Sequence, residues 1–288
     1  MGDAGANSCA ELLRLSAFLK ILNLTDCGIS YVGAVSISSA LRASAFHQLQ
    51  FLSLSGNPIG SDGAKAIGAA LSVNTSLQTL YMGGCQIGTG GVEALAEALK
   101  VNDSLQVLYV DVNGIDSTGA ALFADALQLN SSLRCFDMSG NEIGDDGAVS
   151  LCAALRVNSG LECLDLDANG IGDRGATSFS ATLRVNSGLQ SLNLSRNDIG
   201  DLGVIALGFA LAFNSSLTRI KLHYNEFGDG GAVALCEGLC ANSNSALTSL
   251  TLHDNNIGPL GAASIGKAQR ENLRLEPISL ERVEREEE

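Results

Sequence analysis

The chain has 288 residues, of which 46% are hydrophobic, and a formal net charge of −14. A chain this acidic repels nucleic acid and anionic membrane surfaces, so we expect neither as a partner. The N-terminal stretch MGDAGANSCAELLRL lacks the basic flank and the unbroken apolar run of a signal peptide. The uncharged stretches further along keep polar residues at regular positions, so we predict no membrane span and a cytoplasmic protein.

One leucine recurs along the chain at a fixed spacing. It opens similar segments every 28 residues, at Leu49, Leu77, Leu105, Leu133, Leu161, Leu189 and Leu217. Looser copies open at Leu19, Leu247 and Leu275. Each copy follows the frame L-x-x-L-x-L-x-x-N-x-I-G, as in the segment LQSLNLSRNDIG. This frame is the leucine-rich repeat signature.

Two further segments recur with the same period. I-G-D-x-G-A follows the predicted strand and A-L-x-x-N-x-S closes the predicted helix. Together with the period, they resemble the ribonuclease-inhibitor-like subfamily, which also occurs in NOD-like receptors and in the GTPase-activating protein of Ran. The resemblance covers nearly the whole chain. It implies an α/β fold, a right-handed horseshoe solenoid of about ten repeats with a parallel β-sheet on the concave face and α-helices on the convex face.

We predict one domain over residues 1–288, because a solenoid grows by adding repeats to one continuous core. Residues 1–18 carry half a repeat and are expected to cap the N-terminal end of that core. Residues 19–274 correspond to nine repeats. Residues 275–288 correspond to a partial repeat and an acidic tail that ends in Glu284–Glu288.

Asparagine recurs where each repeat leaves the predicted sheet. A buried amide at this turn can bond backbone groups of its own repeat and of the neighbouring repeat. The residues concerned are Asn57, Asn113, Asn141, Asn169, Asn197, Asn225 and Asn255. Cys27 and Cys85 occupy the same position in two other repeats. We expect those two repeats to be held less firmly.

The helices are predicted from their ends and from their apolar spacing. Helix-capping residue types stand near each start, at Ser61, Thr89, Ser117, Asp145, Asp173, Asp201 and Asp229. Val92, Leu95 and Leu99 illustrate the stripe that each helix should bury. A second asparagine row stands near the helix ends, at Asn74, Asn102, Asn130, Asn158, Asn186 and Asn214. Because asparagine tolerates the left-handed conformation, we predict that this row stops the helices.

The sequence contains little evidence for catalysis or for metal binding. The eight cysteines follow the repeat, and we predict reduced thiols, with Cys152 and Cys236 buried. His223 and His253 share one position in consecutive repeats, but further metal ligands are not evident, so a recognition role is favoured. No serine or cysteine has a histidine and an acid at matching positions. We therefore expect a non-enzymatic protein with no catalytic residue, no cofactor and no metal.

The outward residues of the strands are free to vary, so we expect the function to lie there. An aromatic zone comes first and consists of Phe51, Tyr81 and Tyr109. An acidic zone comes next and consists of Asp111, Asp137, Glu162, Asp165 and Asp167. A basic and aromatic zone comes last and consists of Arg196, Arg219, Lys221, His223 and Tyr224, and His253 is a further candidate partner-binding residue. The order indicates a partner with a basic central patch and a more acidic end. The alternative is a polar face with no tight ligand.

The favoured function is a protein-binding scaffold that recognises a partner protein or peptide on its concave face. A regulator of a small GTPase, similar to the activator of Ran, is one alternative. Against it, the strand-to-helix loops of the first four repeats contain no arginine or lysine to stabilise transition-state charge. An inhibitor of a basic enzyme, similar to ribonuclease inhibitor, is the other. The alternating repeat lengths and dense cysteines of that family are absent here.

We expect a monomer that can self-associate through its C-terminal end. Leu275, Ile278 and Leu280 match a strand pattern, and no capping unit follows to cover its edge. Ile205 and Phe209 are a second feature, because their spacing places them on the outer side of a helix. This exposed apolar pair is either incidental or a second contact for self-association.

Overall fold

The computed structural model describes residues 1–16, 18–43, 48–271 and 274–278. Within these ranges, ten helices alternate with nine strands, which confirms the predicted α/β repeat solenoid. The chain divides into two compact units, Met1–Glu142 and Ile143–Glu288, called unit 1 and unit 2 below.

Unit 1 begins with a helix and continues with alternating strands and helices. Its elements are α1 (Gly2–Leu15), β1 (Ile21–Asn23), α2 (Tyr31–Ala43), β2 (Phe51–Ser53), α3 (Gly60–Leu71), β3 (Thr79–Tyr81), α4 (Gly88–Leu99), β4 (Val107–Tyr109), α5 (Ser117–Leu129) and β5 (Cys135–Asp137). The strands lie parallel in chain order, and each residue pairs with the equivalent residue of the next repeat, as Leu52 does with Leu80. Helix α1 packs against α2 and buries Ala6, Ala10 and Leu13.

Unit 2 repeats the same pattern. Its elements are α6 (Gly144–Leu155), β6 (Cys163–Asp165), α7 (Asp173–Leu183), β7 (Ser191–Asn193), α8 (Asp201–Leu211), β8 (Arg219–Lys221), α9 (Asp229–Ala241), β9 (Ser249–Thr251) and α10 (Pro259–Glu271). Strands β6 to β9 also lie parallel in chain order. Leu192 pairs with Leu164 on one side and with Ile220 on the other.

The core of each unit lies between the strands and the helices. The inward strand residues Leu80 and Met82 are fully buried, and so are Val92, Leu95 and Leu99 of the predicted helical stripe. Cys152 and Cys236 are buried as predicted, and burial raises the pKa of each thiol to about 12. All eight cysteines are free thiols. Within the described ranges, no helix is long and apolar enough to cross a membrane.

The predicted asparagine row at the strand ends is confirmed. Asn141 is buried, and its Oδ1 accepts hydrogen bonds from the backbone N–H groups of Asn113 and Ile115, each at 3.0 Å. Its Nδ2 donates to the carbonyls of Val110 and Met138. One amide therefore bonds backbone groups in two consecutive repeats.

The second asparagine row has a different role from the predicted one. Asn130 has φ −82° and ψ 130°, and none of these asparagines is among the residues with positive φ, so the left-handed helix stop is wrong. They form another ladder instead. Asn214 Nδ2 donates to the carbonyl of Asn186, and Asn186 Nδ2 donates to the carbonyl of Asn158. Each also accepts bonds from the turn that follows it, as Asn214 does from Leu217.

The capping aspartates act on the next repeat, which corrects the prediction that each caps its own helix. Asp173 Oδ1 accepts hydrogen bonds from Gly200 N at 2.9 Å and from Gly203 N at 2.7 Å, at the start of α8. The equivalent oxygens of Asp145, Asp201 and Asp229 bond the starts of α7, α9 and α10 in the same way. A cap is thus also a link between repeats.

The C-terminal strand is not observed where the structure describes the chain. Residues 274–278 form no strand, although Glu276 N donates to the carbonyl of Thr248 at 2.8 Å. Leu280 and the acidic tail Glu284–Glu288 lie outside the described residues. Self-association through this end stays a prediction.

We predict that Asn141→Ala lowers the free energy of unfolding by about 1–3 kcal/mol, because it leaves buried backbone groups without partners. Urea denaturation measures the change. The exposed Ser131→Ala is the matched control and should stay within about 0.5 kcal/mol of the parent. Equal stability of Asn141→Ala and the parent would show that the ladder contributes nothing.

We predict that Asp173→Ala lowers the free energy of unfolding by about 0.5–2 kcal/mol, the usual range for a lost helix cap. Hydrogen exchange identifies which helix loses the cap. The amides of Gly200 and Gly203 should exchange faster, whereas the first turn of α7, to which Asp173 itself belongs, should be unchanged. Faster exchange in α7 alone would contradict the link between repeats.

Candidate binding face on the sheet

The outward side of the strands carries the predicted site residues. In most strands the middle residue is buried and the two flanking residues are partly exposed, as in Thr79–Tyr81 and Cys163–Asp165. Residues at equivalent positions of successive repeats therefore form rows across the sheet, because the strands pair in register.

The aromatic zone is one connected cluster in unit 1. The rings of Tyr81 and Tyr109 stack with centroids 4.4 Å apart and planes 6° from parallel. Phe51 meets Tyr81 edge to face at 5.1 Å. Burial, with Tyr81 and Asp137 nearby, raises the pKa of Tyr109 to about 12, so its hydroxyl stays protonated at neutral pH. The cluster is therefore a continuous surface of closely packed aromatic rings.

Two acidic-zone residues belong to the same unit and lie beside these rings. Asp137 pairs in register with Tyr109, and its Oδ1 accepts a hydrogen bond from Ser139 N at 2.9 Å. Asp111 lies over Gly83, where a β-carbon would come within 2.3 Å of Asp111 Oδ1. Glycine at that position makes room for the carboxylate. Unit 1 thus combines aromatic rings with two carboxylates on one face.

The other acidic-zone residues, Glu162, Asp165 and Asp167, belong to unit 2. Asn193 donates to both carboxylate oxygens of Asp165, at 3.0 and 2.9 Å. Asp167 forms a salt bridge with Arg196 at 3.2 Å, so the boundary between the acidic and basic zones is less sharp than predicted. Burial raises the pKa of Asp167, and Arg196 opposes that rise. Glu162 is half-buried directly before β6.

Arg196 and Tyr224 hold a rare backbone conformation. Their φ angles are 52° and 54°, in the left-handed region, and the equivalent residue of the other repeats also has a positive φ, with glycine in three of them, at Gly56, Gly84 and Gly140. A bulky side chain there costs roughly 1–2 kcal/mol. The Arg196 guanidinium lies 5.3 Å from the centroid of the Tyr224 ring, a cation–π contact. Both side chains are therefore held in place at the edge of the face.

The two histidines form a stacked pair with centroids 4.5 Å apart. His223 Nδ1 lies 2.7 Å from Ser195 Oγ and 3.2 Å from Thr251 Oγ1, and His253 Nδ1 lies 2.9 Å from Asp254 Oδ2. Burial is the largest cause that lowers the pKa of His223, and His253 and the nearby cations lower it further, to about 4. Within the described part of the chain, no group of three or more metal-ligating side chains is arranged to hold an ion.

Strand β8 presents two permanent cations. Arg219 is exposed and Lys221 is half-buried. The residues paired with them on the adjacent strands are uncharged: Ser191, Asn193, Ser249 and Thr251. Because His223 is neutral at physiological pH, the positive charge of this part of the face comes from Arg219, Lys221 and Arg196.

Sequence reasoning missed the uncharged residues that position the charged ones. Asn193, Ser195 and Thr251 occupy the same outward positions as the predicted site residues, yet their chemistry alone did not single them out. The residue type of Gly83 did not mark it as part of the site either. Their position in the repeat was the available signal.

The family comparison agrees with the architecture. The family model described as "Leucine Rich repeat" matches residues 16–38, 47–68, 73–96, 129–152, 157–180, 185–208, 213–236 and 243–266, more than half of the chain. The chain belongs to the leucine-rich repeat family. Residues 97–128 lie outside these matches, yet this leucine-rich repeat segment contains β4 and most of α5 in the usual order.

Other comparisons add little to the leucine-rich repeat assignment. No curated protein sequence matches the chain. Among solved structures, the chain is similar to Leiomodin-1 Actin-Binding Site 2 (ABS2), with 23% identity and a TM-score of 0.40. That match covers 45% of this chain and 73% of the other.

We predict that the His223 imidazole titrates near pH 4, well below the ordinary value of 6.5. Since the unfolded state takes up this proton at higher pH, stability should fall as pH decreases from about 6.5 towards 4. NMR titration of the imidazole signals, assigned with His223→Gln, measures the midpoint. The same variant should lose part of the pH dependence of unfolding. A midpoint near 6.5 would contradict the buried, neutral state.

Proposed function

We propose that this protein is a non-enzymatic, cytoplasmic protein-binding scaffold of the ribonuclease-inhibitor-like subfamily. Its sheet face recognises a partner protein or peptide. The observation that carries the proposal is the connected aromatic cluster of Phe51, Tyr81 and Tyr109 beside Asp111 and Asp137. No feature of the repeat requires three aromatic rings on the outward side of the sheet.

The cluster in unit 1 supports binding of a basic segment. Tyrosine is a frequent anchor of protein interfaces, and a ring stack that exists before binding loses little side-chain freedom on association. The Asp111 and Asp137 carboxylates favour a lysine or arginine of the partner close to the rings. The flat faces of the rings also suit a guanidinium group.

The face of unit 2 supports binding of an acidic segment. Arg219 and Lys221 stand between uncharged strand neighbours, so their charge is available to a carboxylate of the partner. Arg196 lies over the Tyr224 ring in a cation–π contact, and arginine and tyrosine are frequent anchors of protein interfaces. The proposed partner therefore carries both a basic and an acidic segment.

The two alternatives have less support. A GTPase regulator needs a cation near the transferred phosphoryl group, and the early strand-to-helix loops provide none. A ribonuclease-inhibitor-like inhibitor would also use an acidic face, but the cationic strand β8 does not suit a uniformly basic enzyme. The scaffold proposal accounts for both the acidic and the cationic residues.

Peptide selection tests the proposal. A library of random peptides displayed on phage is selected on the immobilised protein, and the enriched peptides are synthesised for affinity measurements. We expect basic and acidic segments to be enriched. Tyr81→Ala combined with Tyr109→Ala should weaken binding at least about tenfold, or 1.4 kcal/mol, because the two stacked rings are the aromatic anchors of the proposed site.

The matched control removes apolar side chains from the helical side of the same unit. Val101 and Leu129 are 66% and 69% exposed, so Val101→Ala combined with Leu129→Ala should preserve both folding and affinity. Loss of binding in this control with none in the tyrosine variant would place the site elsewhere. Circular dichroism checks that all variants fold equally.

A further inference from the structure

Helix α8 has an apolar outer face. Leu202, Phe209 and Phe213 are 71%, 66% and 68% exposed, and Ile205 is half-buried between them. These residues follow the spacing three, four and four, which places them on one narrow stripe of the helix and its C-terminal extension. The stripe is separate from Val204, Leu207 and Leu211, which face the core.

Neighbouring helices share only part of this stripe, such as its last position, where Val185 is equivalent to Phe213 and is also exposed. On α7, the residues equivalent to Leu202 and Phe209 are Arg174 and Ala181. The residue equivalent to Phe209 on α9 is Glu237, which is exposed. Charged and small side chains are thus accommodated at the positions of Leu202 and Phe209, so the repeat does not require large apolar residues there. Its presence calls for a specific explanation.

A groove runs beside the stripe. A β-carbon at Gly208 would lie 2.5 Å from the Ala234 carbonyl oxygen, and one at Gly238 would lie 2.0 Å from the Gly208 carbonyl oxygen. The glycines therefore let α8 and α9 approach closely and leave a shallow floor. Ile205 and Phe209 line one side of the groove. A projecting ring and a recess thus lie next to each other on one surface.

Two opposite charges flank the stripe. Arg184, directly after α7, places its guanidinium 5.4 Å from the centroid of the Phe213 ring. Glu237 lines the groove from α9, on the other side of α8. The surface therefore has a cation on one side, an apolar stripe in the middle and an anion on the opposite side.

We propose that the α8 stripe is the interface of a homodimer, in which Phe209 of each copy inserts into the groove of the other. In a twofold dimer the same surface serves both copies, so a projection must lie beside its own recess. The groove of about 220 Å³ is smaller than the roughly 300–1,000 Å³ of ordinary small-molecule sites, so a side chain suits it better than a ligand.

The flanking charges support a second copy as the occupant. A twofold axis along α8 brings the α7 side of one copy opposite the α9 side of the other. Arg184 then faces Glu237 of the partner copy, and the pair occurs twice. Compared by their positions within a repeat, Arg184 and Glu237 are three residues apart. That difference is an offset of about 4.5 Å along the helix axis, which the two long side chains can span. The dimer uses the helical side, so each copy keeps its sheet face for the proposed partner.

Sedimentation velocity of the full chain, over a concentration series reaching about 1 mM, tests the dimer. The parent should show a monomer–dimer equilibrium. Phe209→Glu should weaken dimerisation at least about tenfold, because a charge replaces the inserted ring. Val157→Glu is the matched control in the same unit, since Val157 is 68% exposed and lies outside the stripe. It should dimerise as the parent does.

Charge exchange distinguishes this dimer from any other. Arg184→Glu and Glu237→Arg should each weaken dimerisation, because each creates a like-charge pair, and the double variant should restore it to within about threefold of the parent. A parent that stays monomeric throughout would overturn the proposal. So would a dimer unaffected by Phe209→Glu, which would place the contact elsewhere, for example at the C-terminal end. Equal circular dichroism spectra confirm that the variants are folded.

Discussion

The two rows of buried asparagines are the constraint on which the rest of the structure depends. Every repeat leaves the sheet and later leaves the helix, and each departure frees backbone groups from regular pairing. An asparagine amide offers two donors and two acceptor lone pairs, so one side chain can satisfy the turn and join it to the previous repeat. Asn141 does this at the strand end, and Asn186 does it at the helix end. The outward positions can then vary, because the repeat is secured elsewhere.

The sequence predicted features that depend on the repeat period alone. The strand-end asparagines and the stripe of Val92, Leu95 and Leu99 follow from spacing and from burial, and both were right. The targets of the aspartate caps were wrong, since Asp173 and Gly200 are 27 residues apart in sequence and meet only when repeats stack. The helix-end asparagines were predicted only to stop their own helices, because their bonds to the preceding repeat also form only when repeats stack.

The sequence predicted on which side of the strands the candidate site residues lie, but not which of these side chains contact one another. Outward residues were correctly placed on one side of the strands, because alternation determines which side chains leave the core. The pairing of Arg196 with Asp167 could not be inferred, since it depends on the left-handed backbone at Arg196 and on the direction of a flexible side chain. The neutral state of His223 likewise depends on its burial beside Ser195 and Thr251, whose identities carry no signal alone.

The aspartate caps give the stack of repeats a chemical polarity. In unit 2, Asp145, Asp173 and Asp201 each serve the helix that follows in the next repeat. Trimming the stack from its N-terminal side deprives the first remaining helix of its carboxylate, whereas trimming from the other side removes the asparagine that accepts bonds from the last remaining turn, as Asn141 does from Asn113 and Ile115. Shortening and lengthening are therefore inherently asymmetric. The aspartates serve the following repeat and the asparagines serve the preceding one, so the two ends of a shortened stack expose different unsatisfied groups.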